Sequence, residues 1–153
     1  MKRFLILLPV IFLIFSCARE EKKAGADSAA ACIDPVNPNG DSELAVLMRQ
    51  MTAWTDSARL AIQRQNNIPA KPADFNRIIT AEKTDKNIGE EPYGGMARHY
   101  LTQVENFDAA TDENRVELFN SMVRACVGCH ENFCGGPVKR INRLFIPEAE
   151  RLR

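Results

Sequence analysis

The chain has 153 residues with 20 basic and 20 acidic side chains, a formal net charge of +0, which excludes the concentrated positive charge of a nucleic-acid binder. This length holds one domain of ordinary size, not two. Its 8 Gly and 8 Pro are too few for a low-complexity chain.

At the N-terminus Lys2 and Arg3 precede an unbroken apolar run from Phe4 to Phe15, closed by Ser16 and Cys17. This is the layout of a secretory signal over residues 1–16, and the run falls short of the ~20 residues that span a bilayer. Ile14-Phe15-Ser16-Cys17 resembles a bacterial lipobox, which implies that Cys17 is lipidated and becomes the new N-terminus. The alternative is an ordinary signal peptide cleaved nearby, with Cys17 lost or free. Removal of Lys2 and Arg3 leaves a mild negative charge. Residues 17–41 are polar and small, with Pro35, Pro38 and Gly40 and no apolar periodicity, the composition of a flexible tether. Arg19-Glu20-Glu21 resembles the acidic tracts of some surface lipoproteins, although a solvated linker is the simpler reading. The expected location is therefore a bacterial membrane facing the periplasm, with the outer membrane and the cell surface left open.

Asp41 or Ser42 is placed to cap a first helix running to about Gln65, with Leu44, Leu47, Met48, Met51, Thr55, Ala58 and Ile62 on one face. A second helix is predicted from Pro72, carrying Phe75, Ile78 and Ile79 inward and dissolving around Asp85 to Gly89. Pro92, Gly94 and Gly95 make residues 90–95 a loop. A third helix follows from about Met96 to Phe107, burying Met96, Tyr100, Val104 and Phe107. Thr111 caps a fourth, with Asp112 and Glu113 in its first turn. Its inner stripe is Leu118, Phe119, Met122, Val123, Cys126, Cys129 and His130, and Gly135-Gly136-Pro137 ends it. Four amphipathic helices without an alternating strand pattern predict an all-α four-helix bundle over 42–137. Residues 138–153 read as a short tail or helix laid back on it.

The fourth helix carries Cys126-Val127-Gly128-Cys129-His130. Two thiols three residues apart can each add to one vinyl group of haem, and the adjacent imidazole then reaches the iron as its proximal ligand. Cys126 and Cys129 are the expected tethers of one haem c, and His130 the ligand. The same CxxC spacing also serves zinc and thioredoxin-like sites. However, zinc wants a second paired cluster of soft donors, and a redox dithiol wants a βαβ pattern; neither is present. Of the five cysteines, Cys32 and Cys134 remain. In an oxidising compartment they read as a disulfide, closing a loop that in the chain-entropy model contributes on the order of 4–5 kcal/mol. Two independent thiols are the alternative.

These residues resemble the class II cytochromes c, the family of cytochrome c′ and its low-spin relatives, in which a four-helix bundle carries CxxCH on its last helix. The resemblance covers most of Ser42 to Phe133. It is firmest over Ala125 to Phe133, with an aromatic three residues after the histidine, and over Leu47-Met48-Arg49-Gln50-Met51. The sequence departs from the family at Cys134, where a basic residue usually follows, and in its extension from Gly135 to Arg153.

The resemblance implies Met48 as the sixth iron ligand, because low-spin members carry a methionine followed by a basic residue there. From periodicity alone, Met48 and Met51 read equally well as core. His99 is the other imidazole, but its helical phase puts it on the flank of its helix. Tyr100 either borders the haem or is a core tyrosine with its hydroxyl at the surface. Lys139, Arg140 and Arg143 are candidates for pairing with haem carboxylates or an acidic partner, or simply an exposed face. With no catalytic constellation in view, the expected function is a monohaem one-electron carrier, not an enzyme, tethered to membrane by lipid and meeting larger redox proteins. The alternative is a five-coordinate protein of the cytochrome c′ kind that binds nitric oxide or carbon monoxide. A lipoprotein whose CxxC forms only a disulfide is a third, weaker reading. Pairing of helix faces into a homodimer stays open.

Overall fold

Ser42 begins the first helix as expected: its backbone is extended and its Oγ accepts from the Ala45 N–H at 3.1 Å, satisfying one of the orphan donors of the first turn. The computed structural model describes residues 41–147. The signal, Cys17, the tether and Cys32 lie outside the described residues, as do residues 148–153. The described residues are helical, with α1 Glu43–Gln63, a 3₁₀ segment Ala73–Ile79, α2 Glu90–Asp108, α3 Arg115–Phe133, α4 Val138–Ile141 and a 3₁₀ turn Asn142–Leu144. None of these helices is long and apolar enough to cross a membrane.

Three expectations are corrected. The second helix exists only as the 3₁₀ segment: Phe75 and Ile78 are buried, but the polar residues from Glu82 onward offer no further inward face, and so short an apolar stripe does not sustain an α-helix. Conversely, residues 90–95 are the first turns of α2. Pro92 falls in its first turn, where a missing N–H costs nothing, and Glu90 and Glu91 suit the positive end of the helix. Burial of Tyr93, Ala97 and Tyr100 along one face outweighs the low helix propensity of Gly94 and Gly95. At α3 the cap is also displaced. Thr111 is not the cap; its N–H donates to Asn114 Oδ1 at 2.9 Å, and the helix starts after Asn114.

Aromatic contacts set the packing. Phe107 near the end of α2 meets Phe119 near the start of α3 at 5.5 Å, and Tyr93 at the start of α2 meets Phe133 at the end of α3 at 5.8 Å. The two helices are therefore antiparallel. Trp54 on α1 stands edge-on to Phe75 at 5.3 Å and Phe107 at 6.0 Å, and donates its indole N–H to the Pro69 carbonyl at 3.0 Å. Such ring pairs contribute about 0.5–1.5 kcal/mol beyond burial. The start of α1 is fixed at the opposite end, where the Leu44 N–H donates to the Glu82 carbonyl at 3.0 Å.

Residues 141–146 pack back on the helices. Ile141, Leu144 and Ile146 are buried, and the Asn120 side chain clasps the Ile146 backbone in both directions: its Nδ2 donates to the carbonyl at 2.9 Å, and its Oδ1 accepts from the N–H at 3.0 Å.

The buried Tyr93 hydroxyl donates to the Ile78 carbonyl at 2.6 Å, joining the 3₁₀ segment to α2. Tyr93→Phe leaves that acceptor unsatisfied and should lower stability by about 1–3 kcal/mol. Urea denaturation with an unchanged slope would register the loss as a shift in midpoint.

Candidate functional site

The last turns of α3 continue the buried face of Phe119, Met122 and Val123. Cys126, Cys129 and His130 are spaced by three and four, so they share one side of the helix, and each is partly buried there. Two hollows open beside them. The inner one, about 40 Å³, is lined by Met48, Met51, Thr55, Tyr100, Cys126, Cys129, His130, Ile141 and Leu144. The outer cleft, about 440 Å³, is bounded by Leu44, Met48, Ile88, Tyr93, Cys129, His130, Phe133 and Ile141 among others, a size typical of small-molecule sites. Met48, Thr52, Cys129, His130 and Ile141 belong to both. The structure thus brings Met48 of α1 to the inner hollow beside all three motif residues of α3.

His130 is oriented by its own helix end. Its Nδ1 lies 3.2 Å from the Cys134 carbonyl oxygen, and since a carbonyl only accepts, Nδ1 carries the proton. Nε2 is left with a free lone pair, the arrangement in which histidine ligates metals. The thiols are free. Burial pushes Cys126 up to about 12, with Cys129 adding to the shift; Cys129 is raised chiefly by burial and next by Cys134.

Tyr100 departs from the favoured expectation. Its hydroxyl does not reach the surface but is buried, with no hydrogen bond of good geometry; burial raises its pKa well above the ordinary tyrosine value, and the Thr55 hydroxyl beside it lowers that shift only in part. The neighbouring Thr55 hydroxyl donates instead to the Met51 carbonyl at 2.8 Å. An orphaned donor inside an apolar pocket is costly unless something bound there completes it.

His99 is exposed and lines a separate groove with Met96, Gln103, Ser121 and Arg124, away from Met48. Of the three tail cations only Arg140 lines the cleft. Cys134 is free and exposed at the cleft rim, and its suggested partner Cys32 lies outside the described residues. Sequence reasoning missed Lys83 and Ile88, which no motif marks, and the role of Ile141 and Leu144 as a wall. For the last two a signal existed: Val138, Ile141 and Leu144 recur every three residues.

This donor set suits a haem tethered through two thiols. It provides paired thiols on one face, an imidazole with Nε2 open, a thioether from another helix, apolar walls and an unsatisfied hydroxyl. It suits other CxxC chemistry poorly. Among the described residues no group of three or more His, Cys, Asp and Glu is placed to hold a metal ion. A redox dithiol needs a lowered thiol pKa, whereas both thiols here are raised. Comparison with known proteins finds no family model, no curated protein and no solved structure that matches the chain.

The two thiols should also differ in the haem-free chain. With Cys126 at about 12, its thiolate at pH 8 is on the order of a thousandfold rarer than that of an ordinary thiol near 8.5. Alkylation followed by peptide mass mapping should modify Cys129 before Cys126. Because thiolate is the reactive form, the Cys126 rate should rise about tenfold per pH unit up to about pH 12.

Proposed function

We propose that the chain is a monohaem c-type cytochrome that carries single electrons between larger redox proteins and turns over no substrate. The observation that supports this reading is the meeting of Met48 with Cys126, Cys129 and His130 around the inner hollow, with Met48, Cys129 and His130 also lining the apolar outer cleft. Haem c, when bound, supplies a one-electron iron couple. Cys126 and Cys129 would hold it as thioethers, His130 would ligate through Nε2, and Met48 would offer its thioether sulfur from α1, a ligand that favours the reduced iron and suits electron transfer. The apolar walls exclude water and lower the local dielectric, and the Tyr100 hydroxyl is the donor available inside. In the same reading the long helices with the 3₁₀ segment form a reduced four-helix bundle of the class II kind. The N-terminal signal and Cys17 lipid make the chain an exported lipoprotein facing the periplasm.

Replacing Cys126 and Cys129 together by serine should abolish haem that stays with the polypeptide after denaturation, measured by haem staining and intact mass. Haem retained covalently in that double variant would refute the tether assignment.

The Tyr100 hydroxyl also favours one competing reading, a five-coordinate protein that binds nitric oxide or carbon monoxide, because a free donor in the pocket suits a bound diatomic ligand. Met48→Leu separates the two. The swap nearly conserves volume, so it should cost less than about 1.5 kcal/mol, while turning the iron high-spin and opening it to carbon monoxide. A wild-type protein that is already high-spin and binds carbon monoxide as fast as the variant would move the function to gas binding.

A further inference from the structure

The outer cleft is apolar along its walls but cationic at its rim. Arg49 of α1, Lys83 of the segment before α2 and Arg140 of α4 all line it, and they are not equivalent. Arg49 is engaged by both carboxylate oxygens of Asp41. Lys83 is committed to the Glu90 carboxylate at 2.6 Å and to the face of the Tyr93 ring, 4.8 Å from its centroid. Arg140 makes no ion pair with any described residue. Its backbone is nevertheless fixed, with its N–H donating to the Pro137 carbonyl at 2.8 Å. Among the described residues the one acid lining the cleft, Asp85, turns an oxygen back on the backbone and side-chain amides of Asn87 at 2.9 and 3.0 Å.

An apolar cleft with, among the described residues, one guanidinium at its rim that makes no ion pair matches a flat apolar ligand bearing carboxylates. Haem has that character, and its two carboxylates stand on the edge opposite the vinyl groups. Tethering at Cys126 and Cys129 therefore turns the carboxylates away from the thiols. We propose that Arg140 is the anchor for those carboxylates, an inference that rests on the haem reading above. The guanidinium offers paired donors in the plane a carboxylate accepts, a charge-assisted contact about twice as strong as a neutral hydrogen bond. Apolar walls on one side weaken its screening by salt. Lys139 and Arg143 carry equal charge on the same short segment but do not line the cleft, so they provide internal controls. Arg140 itself is exposed, and its replacement leaves the core intact.

The test compares the full haem-loaded chain with its Arg140→Gln, Arg140→Lys, Lys139→Gln and Arg143→Gln variants. In a redox titration, Arg140→Gln should shift the equilibrium toward ferric iron by about three- to tenfold, where tenfold is about 59 mV for one electron. Arg140→Lys should fall between it and wild type, and the two control variants should shift it by less than about twofold, as solvated charges do. The resonance Raman band of the haem propionate bend should move in Arg140→Gln and stay fixed in Lys139→Gln and Arg143→Gln. If Arg140→Gln matches the controls in both measurements, Arg140 is not the anchor, while covalent haem stays established. Wild-type protein that loses all haem on denaturation would instead overturn the haem reading and the anchor with it.

Discussion

The register between α2 and α3 is held by edge-to-face rings at both ends of the pair, Phe107 on Phe119 and Tyr93 on Phe133, and the cleft takes its position from that pairing. A slide of one helical turn would break both contacts together, so intermediate registers have little to stabilise them. With the register set, Met122 and Val123 are sealed completely, each worth about 1.5–3 kcal/mol of burial. The next turn of the same face then brings Cys126, Cys129 and His130 out at the edge of the core. That turn faces the two hollows bordered by α1 and the tail, which leaves it only partly buried.

Burial and function pull against each other at these thiols. A cysteine facing the core is desolvated and stays protonated, which makes it a poor thiolate ligand for a metal and a poor attacking group in disulfide exchange. The same desolvation does no harm to a thiol destined for a thioether, because that product carries no charge. The Tyr100 hydroxyl and the His130 Nε2 fit this logic. Neither makes a hydrogen bond of good geometry among the described residues, and both border the inner hollow.

Much of this was legible in the sequence because period and spacing are local properties. The stripe from Phe119 through His130 reads from helical spacing alone, as does the cap at Ser42, and the off-phase position of His99 is found where a 100° turn per residue puts it. What was not legible depended on tertiary contacts. Gly94 and Gly95 read as loop until Tyr93 is seen packing on Phe133, and Pro72 to about Asp85 reads as an α-helix until its buried face proves to stop at Ala81. The caps at α3 could be exchanged between Thr111 and Asn114 without changing the pattern. Asn120 carried no signal at all, since a carboxamide on a helix looks like any solvated residue until a distant backbone segment completes it.

Trp54 adds a different consequence. It is the one tryptophan of the chain, buried among Phe75 and Phe107 at the end of the helices remote from the Tyr93–Phe133 contact. The protein therefore carries a built-in fluorophore whose surroundings change from dry aromatic shell to water when the chain unfolds. A strongly absorbing pigment in the cleft would drain its emission by energy transfer while leaving its surroundings unaltered. Emission wavelength would then follow folding, and emission intensity would follow the cofactor, so the two processes are separable in a single unlabelled sample.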